Sequence, residues 1–148
     1  MGPTLDSPST ETAVTEPNAD RYRVRALDVD PDDSLTADEG WVDMEVRWLV
    51  TDETVGSQAT VVGRTMLRPG SKHDIHRHAN AEEWEYIISG NAIKHIGDEQ
   101  VEASAGDVVF VPAGVFHGLE NASDTEPLVT VWGYSGASSL EQAGYELP

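Results

Sequence analysis

An all-β fold, a sandwich or closed barrel, is the architecture this sequence predicts, and three observations predict it. From Trp41 onward, Val42, Met44, Val46, Trp48 and Val50 alternate with Asp43, Glu45 and Arg47. This is the period-2 signature of a strand with one buried face. Further short apolar runs follow at even spacing, each bounded by Gly, Pro, Asn or Asp, as in many-stranded barrels. Helical character is confined to a few residues near the C-terminus.

Residues 1–20 are rich in Pro, Ser, Thr and acid with almost nothing to bury, and read as a disordered tail. Residues 22–27 carry enough apolar character for a short edge strand. Residues 28–40 form an acidic, turn-rich stretch broken by Pro31 and Gly40. After the strand over 41–50, strands are expected over 58–67, 83–89, 91–96, 107–111, 115–120 and 128–133. The punctuation between them is Arg68-Pro69-Gly70-Ser71, Ser89-Gly90-Asn91, Gly97-Asp98, Ala105-Gly106-Asp107, Pro112-Ala113-Gly114 and Asn121-Ala122-Ser123-Asp124. The barrel is thus expected over 21–134. Over 135–148, Ser138 or Ser139 can cap Leu140-Glu141-Gln142-Ala143, with Glu141 or Gln142 completing a capping box and Gly144 ending the turn. That turn is expected on the outside of the barrel.

Composition narrows function by exclusion. The 148 residues contain no cysteine, so disulfides, thiolate catalysis and cysteine–zinc sites are excluded. A formal charge of −18 argues against nucleic acid and anionic membrane surfaces as partners. The first residues lack a signal-peptide pattern, and no run reaches membrane-spanning length, so a cytoplasmic protein is expected. Any metal must rest on histidines and carboxylates.

His76-Arg77-His78 supplies the first such pair, since residues two apart on a strand share a face. Extended outward, the spacing is Gly70-x5-His76-x-His78-x4-Glu83-x6-Gly90, followed by Gly106-x5-Pro112-x-Gly114-x2-His117-x3-Asn121. Glu82 offers a carboxylate one residue earlier, but only Glu83 keeps six residues before Gly90. Over residues 60–134 this pattern resembles the two motifs of the cupin superfamily. The resemblance implies a single jelly-roll barrel (double-stranded β-helix) with one divalent metal in its mouth, held by His76, His78, Glu83 and His117. It also implies a homodimer. Three imidazoles and a carboxylate suit Fe(II), the favoured ion, and also Mn(II), Co(II), Ni(II) or Zn(II). A six-coordinate ion would keep two adjacent positions for substrate or dioxygen.

Other residues are placed by parity. If Glu83 faces inward, so do Glu85 and Ile87. A two-residue hairpin turn at Ser89-Gly90 would pair 88 with 91 and 85 with 94, setting an inward Glu85–Lys94 pair beside the metal, for proton transfer or for orienting substrate. The alternatives are a structural ion pair, or a one-residue slip that puts both in solvent. His73 differs in parity from His76 and is expected to face away, as is His95. Arg64 and Met66 lie on a strand with one pocket-facing side, where Arg64 would anchor a carboxylate if it pointed inward. Trp132 and Tyr134 are candidates for the pocket mouth or the core; Phe110, Val111 and Val115 are assigned to the core and Asn121 to a turn.

Fold does not fix chemistry. The favoured function is an oxygenase, a dioxygenase-type oxidoreductase acting on a small oxygenated metabolite chelated to the metal: a dicarbonyl, hydroxyketone or phenolic. The alternatives are a redox-neutral lyase, isomerase or cyclase using Glu85 and Lys94 as acid–base groups, and a non-catalytic small-ligand binder.

Overall fold

The computed structural model describes residues 18–148. Of the tail expected over 1–20, all but the last three residues lie outside the described ones. The strand expected over 22–27 is absent. Two 3-10 turns, Ala19–Tyr22 and Ala26–Asp28, stand there instead. Asn18 caps the first by accepting from the Asp20 N–H. Arg21, Arg23 and Arg25 fall on this stretch and Leu27 is exposed, so no apolar face exists to seat a strand on the barrel. The acidic segment that follows is irregular, ending in a 3-10 turn at Ala37–Glu39 that Gly40 closes at φ 98°.

Eight antiparallel strands form the barrel: β1 Trp41–Val50, β2 Thr60–His76, β3 Glu82–Ser89, β4 Asn91–Ile96, β5 Glu99–Ser104, β6 Val108–Val111, β7 His117–Asn121 and β8 Leu128–Ser135. A one-turn helix, α1, spans Asp52–Val55 behind a Thr51 cap, and α2 spans Leu140–Ala143. The pairing order is β5-β4-β7-β2-β8-β3-β6, with β1 on the other side of β2.

β2 is longer than its sequence signal because it runs through Pro69 and Gly70. Its ladder to β8 ends at Leu67↔Leu128, and its ladder to β7 begins at Lys72↔Glu120. The proline thus sits between the two ladders and has no ladder bond to lose. Gly70 takes φ 80° there. β5 had no sequence signal because Glu99, Gln100, Val101 and Glu102 are all exposed; only its ladder to β4 defines it. β3 and β4 are consecutive yet unpaired, since β3 lies between β6 and β8 and β4 between β5 and β7. The turn at Ser89-Gly90 therefore joins strands that are not neighbours in the pairing order, and the expected hairpin does not form.

Two apolar clusters fill the interior. Leu67, Ile87, Leu119 and Leu128 form one, and Trp41, Val46, Val61, Trp132 and Tyr134 the other. Each fully buried aliphatic side chain stabilises the fold by about 1.5–3 kcal/mol relative to exposure. Cross-strand glycines admit the indoles: a Cβ at Gly63, paired with Trp132, would meet that ring at 2.2 Å. Val111 is buried as expected and Val115 half-buried, but Phe110 is 52% exposed, because the β3–β6 ladder puts its parity on the outer face.

The C-terminal helix is capped by Ser139, which accepts from the Gln142 N–H. The Gln142 side chain accepts from the Ser138 N–H and hydroxyl rather than closing back on Ser139. Glu141 and Gln142 are exposed on the helix's outer side, while its last residue packs inward. Ala143 is fully buried within the Trp41–Tyr134 cluster, and its carbonyl accepts from the Asn80 N–H.

Candidate metal centre

Four side chains from four places in the chain converge inside the barrel. His76 is the last residue of β2 and stands directly opposite His117, the first of β7. Their rings lie 4.3 Å apart. His78 follows β2, and Glu83 enters from β3 between Val111 and Tyr134. One ligand atom from each lies within 4.8 Å of all the others, and all four residues are buried.

Hydrogen bonds aim the imidazoles. The Nδ1 atoms of His76, His78 and His117 lie 2.6, 2.7 and 2.9 Å from the carbonyl oxygens of Asp74, Gly144 and Val115. A carbonyl only accepts, so each Nδ1 carries the proton and each Nε2 presents a lone pair inward. The Nε2 atoms of His76 and His78 are buried without a hydrogen-bond partner. Glu83 Oε1 approaches His78 Nε2 at 3.1 Å and His117 Nε2 at 3.2 Å. Orphaned inward lone pairs beside a carboxylate are the donor set of a divalent cation, and the residues present fit one.

The electrostatics point the same way. Burial and the neighbouring His117 hold the His76 pKa well below its ordinary value, keeping the ring neutral. Burial opposes ionisation of Glu83, but Lys94 and His117 outweigh it and hold its pKa well below the usual carboxylate range. Lys94 Nζ donates to Glu85 Oε1 at 2.7 Å and to Glu83 Oε2 at 3.3 Å. Thr130 donates to the other Glu85 oxygen at 2.7 Å. Burial disfavours the Lys94 charge, yet Glu85 and Glu83 raise its pKa above the ordinary value. Glu85 and Lys94 therefore both face inward, as parity required, although they meet across the barrel and not along a hairpin.

A cavity of about 20 Å³ opens beside this cluster, walled in part by Trp41, Thr65, Trp132 and Tyr134. Trp132 lines it, its Nε1 donating to Thr65 Oγ1 at 2.7 Å. Arg64 and Met66 do not. They alternate with Val61, Gly63, Thr65 and Leu67, which take the inward face of β2, so both project to the other side. Thr65 is the cavity residue of that strand.

His73 reverses its expectation. Its ring stacks on His76 at 3.9 Å and lines the cavity. The cause is a bulge: β2 advances three residues from His73 to His76 while β7 advances two from Leu119 to His117. The extra residue restores His73 to the face of His76. Burial, followed by the adjacent His76, pushes its pKa well below the ordinary value. His95 does face away and pairs with Glu120 on the outer surface. Asn121 ends β7, where its amide donates to the carbonyls of Leu67 and Glu126.

The sequence has counterparts. A sequence profile described as "Cupin domain" matches residues 63–134. An oxalate-binding protein of Thermotoga maritima is 30% identical over 103 residues, covering 70% of this chain and 85% of that protein. Polyketide synthase CurC of Streptomyces cyaneus is 27% identical over 107 residues, covering 72% and 67%. Among solved structures, the oxalate decarboxylase of Bacillus subtilis, described with Mn(II) centres, superposes with a TM-score of 0.63 at 26% identity. That superposition covers 78% of this chain, which spans only 29% of the decarboxylase. The barrel, its motif spacings and these likenesses together make the chain a member of the cupin superfamily.

Proposed function

We propose that this cupin is a mononuclear divalent-metal enzyme, using Mn(II) or Fe(II), that oxidises a small oxygen-chelating acid of the oxalate class with dioxygen. The convergence of three imidazole Nε2 atoms and the Glu83 carboxylate within 4.8 Å carries the metal reading. Kinship to a protein described with Mn(II) centres supports manganese beside iron. His76, His78, Glu83 and His117 would hold the ion, which when bound supplies a Lewis acid and a one-electron redox partner. A cavity of about 20 Å³ has room for only one or two water-sized groups without side-chain movement. That scale disfavours a polyketide-sized substrate; a two-carbon acid, with six heavy atoms, needs a smaller movement of side chains to reach the ion.

The chain's own residues shape the rest. Trp41, Trp132 and Tyr134 wall the cavity with aromatic surface and exclude bulk water. Lys94 occupies Glu83 Oε2, leaving Oε1 directed at the histidines. Both Glu85 oxygens are engaged, by Lys94 and Thr130, so Glu85 is no free base. This favours oxidation over proton-shuttling chemistry. A redox-neutral decarboxylation is the second reading, favoured by the placing of Lys94 in the cavity wall, where an ammonium can donate a proton to a product carbanion.

The two differ in stoichiometry. Oxidation takes oxalate, dioxygen and two protons to two carbon dioxides and hydrogen peroxide. Decarboxylation takes oxalate and one proton to formate and carbon dioxide. Protein loaded with Mn(II) or Fe(II) and given oxalate should consume dioxygen and release peroxide. Formate without net oxygen uptake selects the second reading, and saturable binding without either product refutes an enzyme of oxalate.

A further inference from the structure

The stretch matched to the family ends at residue 134, yet one histidine of the cluster is aimed by a residue beyond it. Gly144 O accepts from His78 Nδ1 at 2.7 Å. The carbonyls that aim His76 and His117 each lie two residues back along the chain. His78 has no such local support. Its orientation depends on chain 66 residues away.

That distant chain is clamped. Arg77 N–H donates to Glu146 O at 2.9 Å and Glu146 N–H returns to Arg77 O at 3.1 Å, an isolated bridge flanking His78. The Arg77 guanidinium also meets the Glu146 carboxylate at 2.7 Å. Between these anchors, Tyr145 stacks on His76 at 4.9 Å and on Trp41 at 5.1 Å. Its hydroxyl donates to Glu39 O at 2.6 Å and lies 3.1 Å from His73 Nε2. One short segment therefore touches two of the three cluster histidines and His73 as well.

We infer that residues 144–146 complete the metal centre, Gly144 positioning His78 and Tyr145 covering the histidine rings against exchange with solvent. This rests on the metal reading but not on any substrate. Losing the partner of a ligating imidazole costs about 10–100-fold in metal affinity. Two variants test it: a chain ending at Ala143, and the full-length Tyr145→Ala. Each is compared with wild type for Mn(II) affinity by calorimetry, for the rate at which EDTA extracts Mn(II), and for the Mn(II) electron paramagnetic resonance spectrum. Circular dichroism and thermal melting report the fold.

The truncated chain should stay folded, bind Mn(II) at least tenfold more weakly and show an altered spectrum. Tyr145→Ala should release Mn(II) to EDTA several-fold faster. If truncation prevents folding, Tyr145→Ala decides alone. Folded variants with wild-type affinity, release rate and spectrum overturn the inference while leaving the metal reading intact. A wild-type chain that binds no divalent ion overturns both.

Discussion

Lys94→Met is the sharpest test of the electrostatic design beside the cluster. The ammonium is 2% exposed, 2.7 Å from Glu85 and 3.3 Å from Glu83. At an effective dielectric constant of about 20, unit charges at those separations attract by roughly 6 and 5 kcal/mol before desolvation. Most of that is offset by the cost of burying the ions. Methionine fills similar space but removes the positive charge, leaving two buried carboxylates without their cation. The expected cost to the metal-free protein is about 3–5 kcal/mol, the range for breaking a buried pair from one side. In a chain of this size that lowers Tm by roughly 10–15 °C. Glu85→Gln should cost less, because Lys94 keeps Glu83 and Thr130 keeps an acceptor. In the double variant the losses should fall short of additive by about 1–3 kcal/mol. Urea denaturation of the four proteins measures the cycle. A Lys94→Met loss under about 1 kcal/mol, or strict additivity, would refute the claim that one buried network joins these groups. Unchanged turnover and metal content in Glu85→Gln would remove Glu85 from any catalytic role.

Metal-free stability should form a plateau bounded on both sides by buried groups. Burial and His117 hold His76 below its ordinary 6.5, and burial with His76 does the same for His73. Below pH 6.5 the unfolded chain takes up protons that the folded chain refuses, so stability falls with acid. Lys94 is raised above 10.5, so its contribution is complete below that pH and lost as pH rises through the folded value. A urea midpoint that does not drop between about pH 6.5 and 5 would contradict the neutral buried histidines. A second copy of the chain is the partner expected for the outer face of β3 and β6, where Tyr86, Ile88, Val108 and Phe110 are exposed on a terminal strand pair. Sedimentation should show a dimer that Phe110→Glu converts to monomer; a wild-type monomer would refute that assignment.

Strands were legible where one face is buried and the other wet. β1 carries a period-2 signal from Val42 to Trp48, and the strand spans Trp41–Val50 despite two shifts in its register with β2. β5 was illegible because solvent takes both faces of Glu99–Glu102 and pairing alone shapes it. Pro69 and Gly70 read as a break for a sound local reason, and the error was topological. A strand that changes partners can carry a proline between its two ladders. The same lesson applies to Ser89-Gly90, whose turn chemistry is real but joins strands that do not pair with each other.

At the site, legibility tracked the sequence distance of each supporting contact. His76 and His117 are aimed by carbonyls two residues back, so motif spacing encodes both the ligand and its support. His78 carries the same spacing, but its support comes from Gly144, and nothing near position 78 announces it. Parity brought Glu85 and Lys94 inward, but which groups they meet depends on β3 and β4, which do not pair, facing each other across the barrel. His73 failed for the opposite reason: parity was applied across a bulge that only the β2–β7 register reveals. Motifs therefore specify the metal-facing atoms, whose geometry is local. The groups that tune them, namely Lys94 and the 144–146 segment, arrive by tertiary contact. Differences in metal or reaction between barrels with the same four ligands should be sought in those long-range groups.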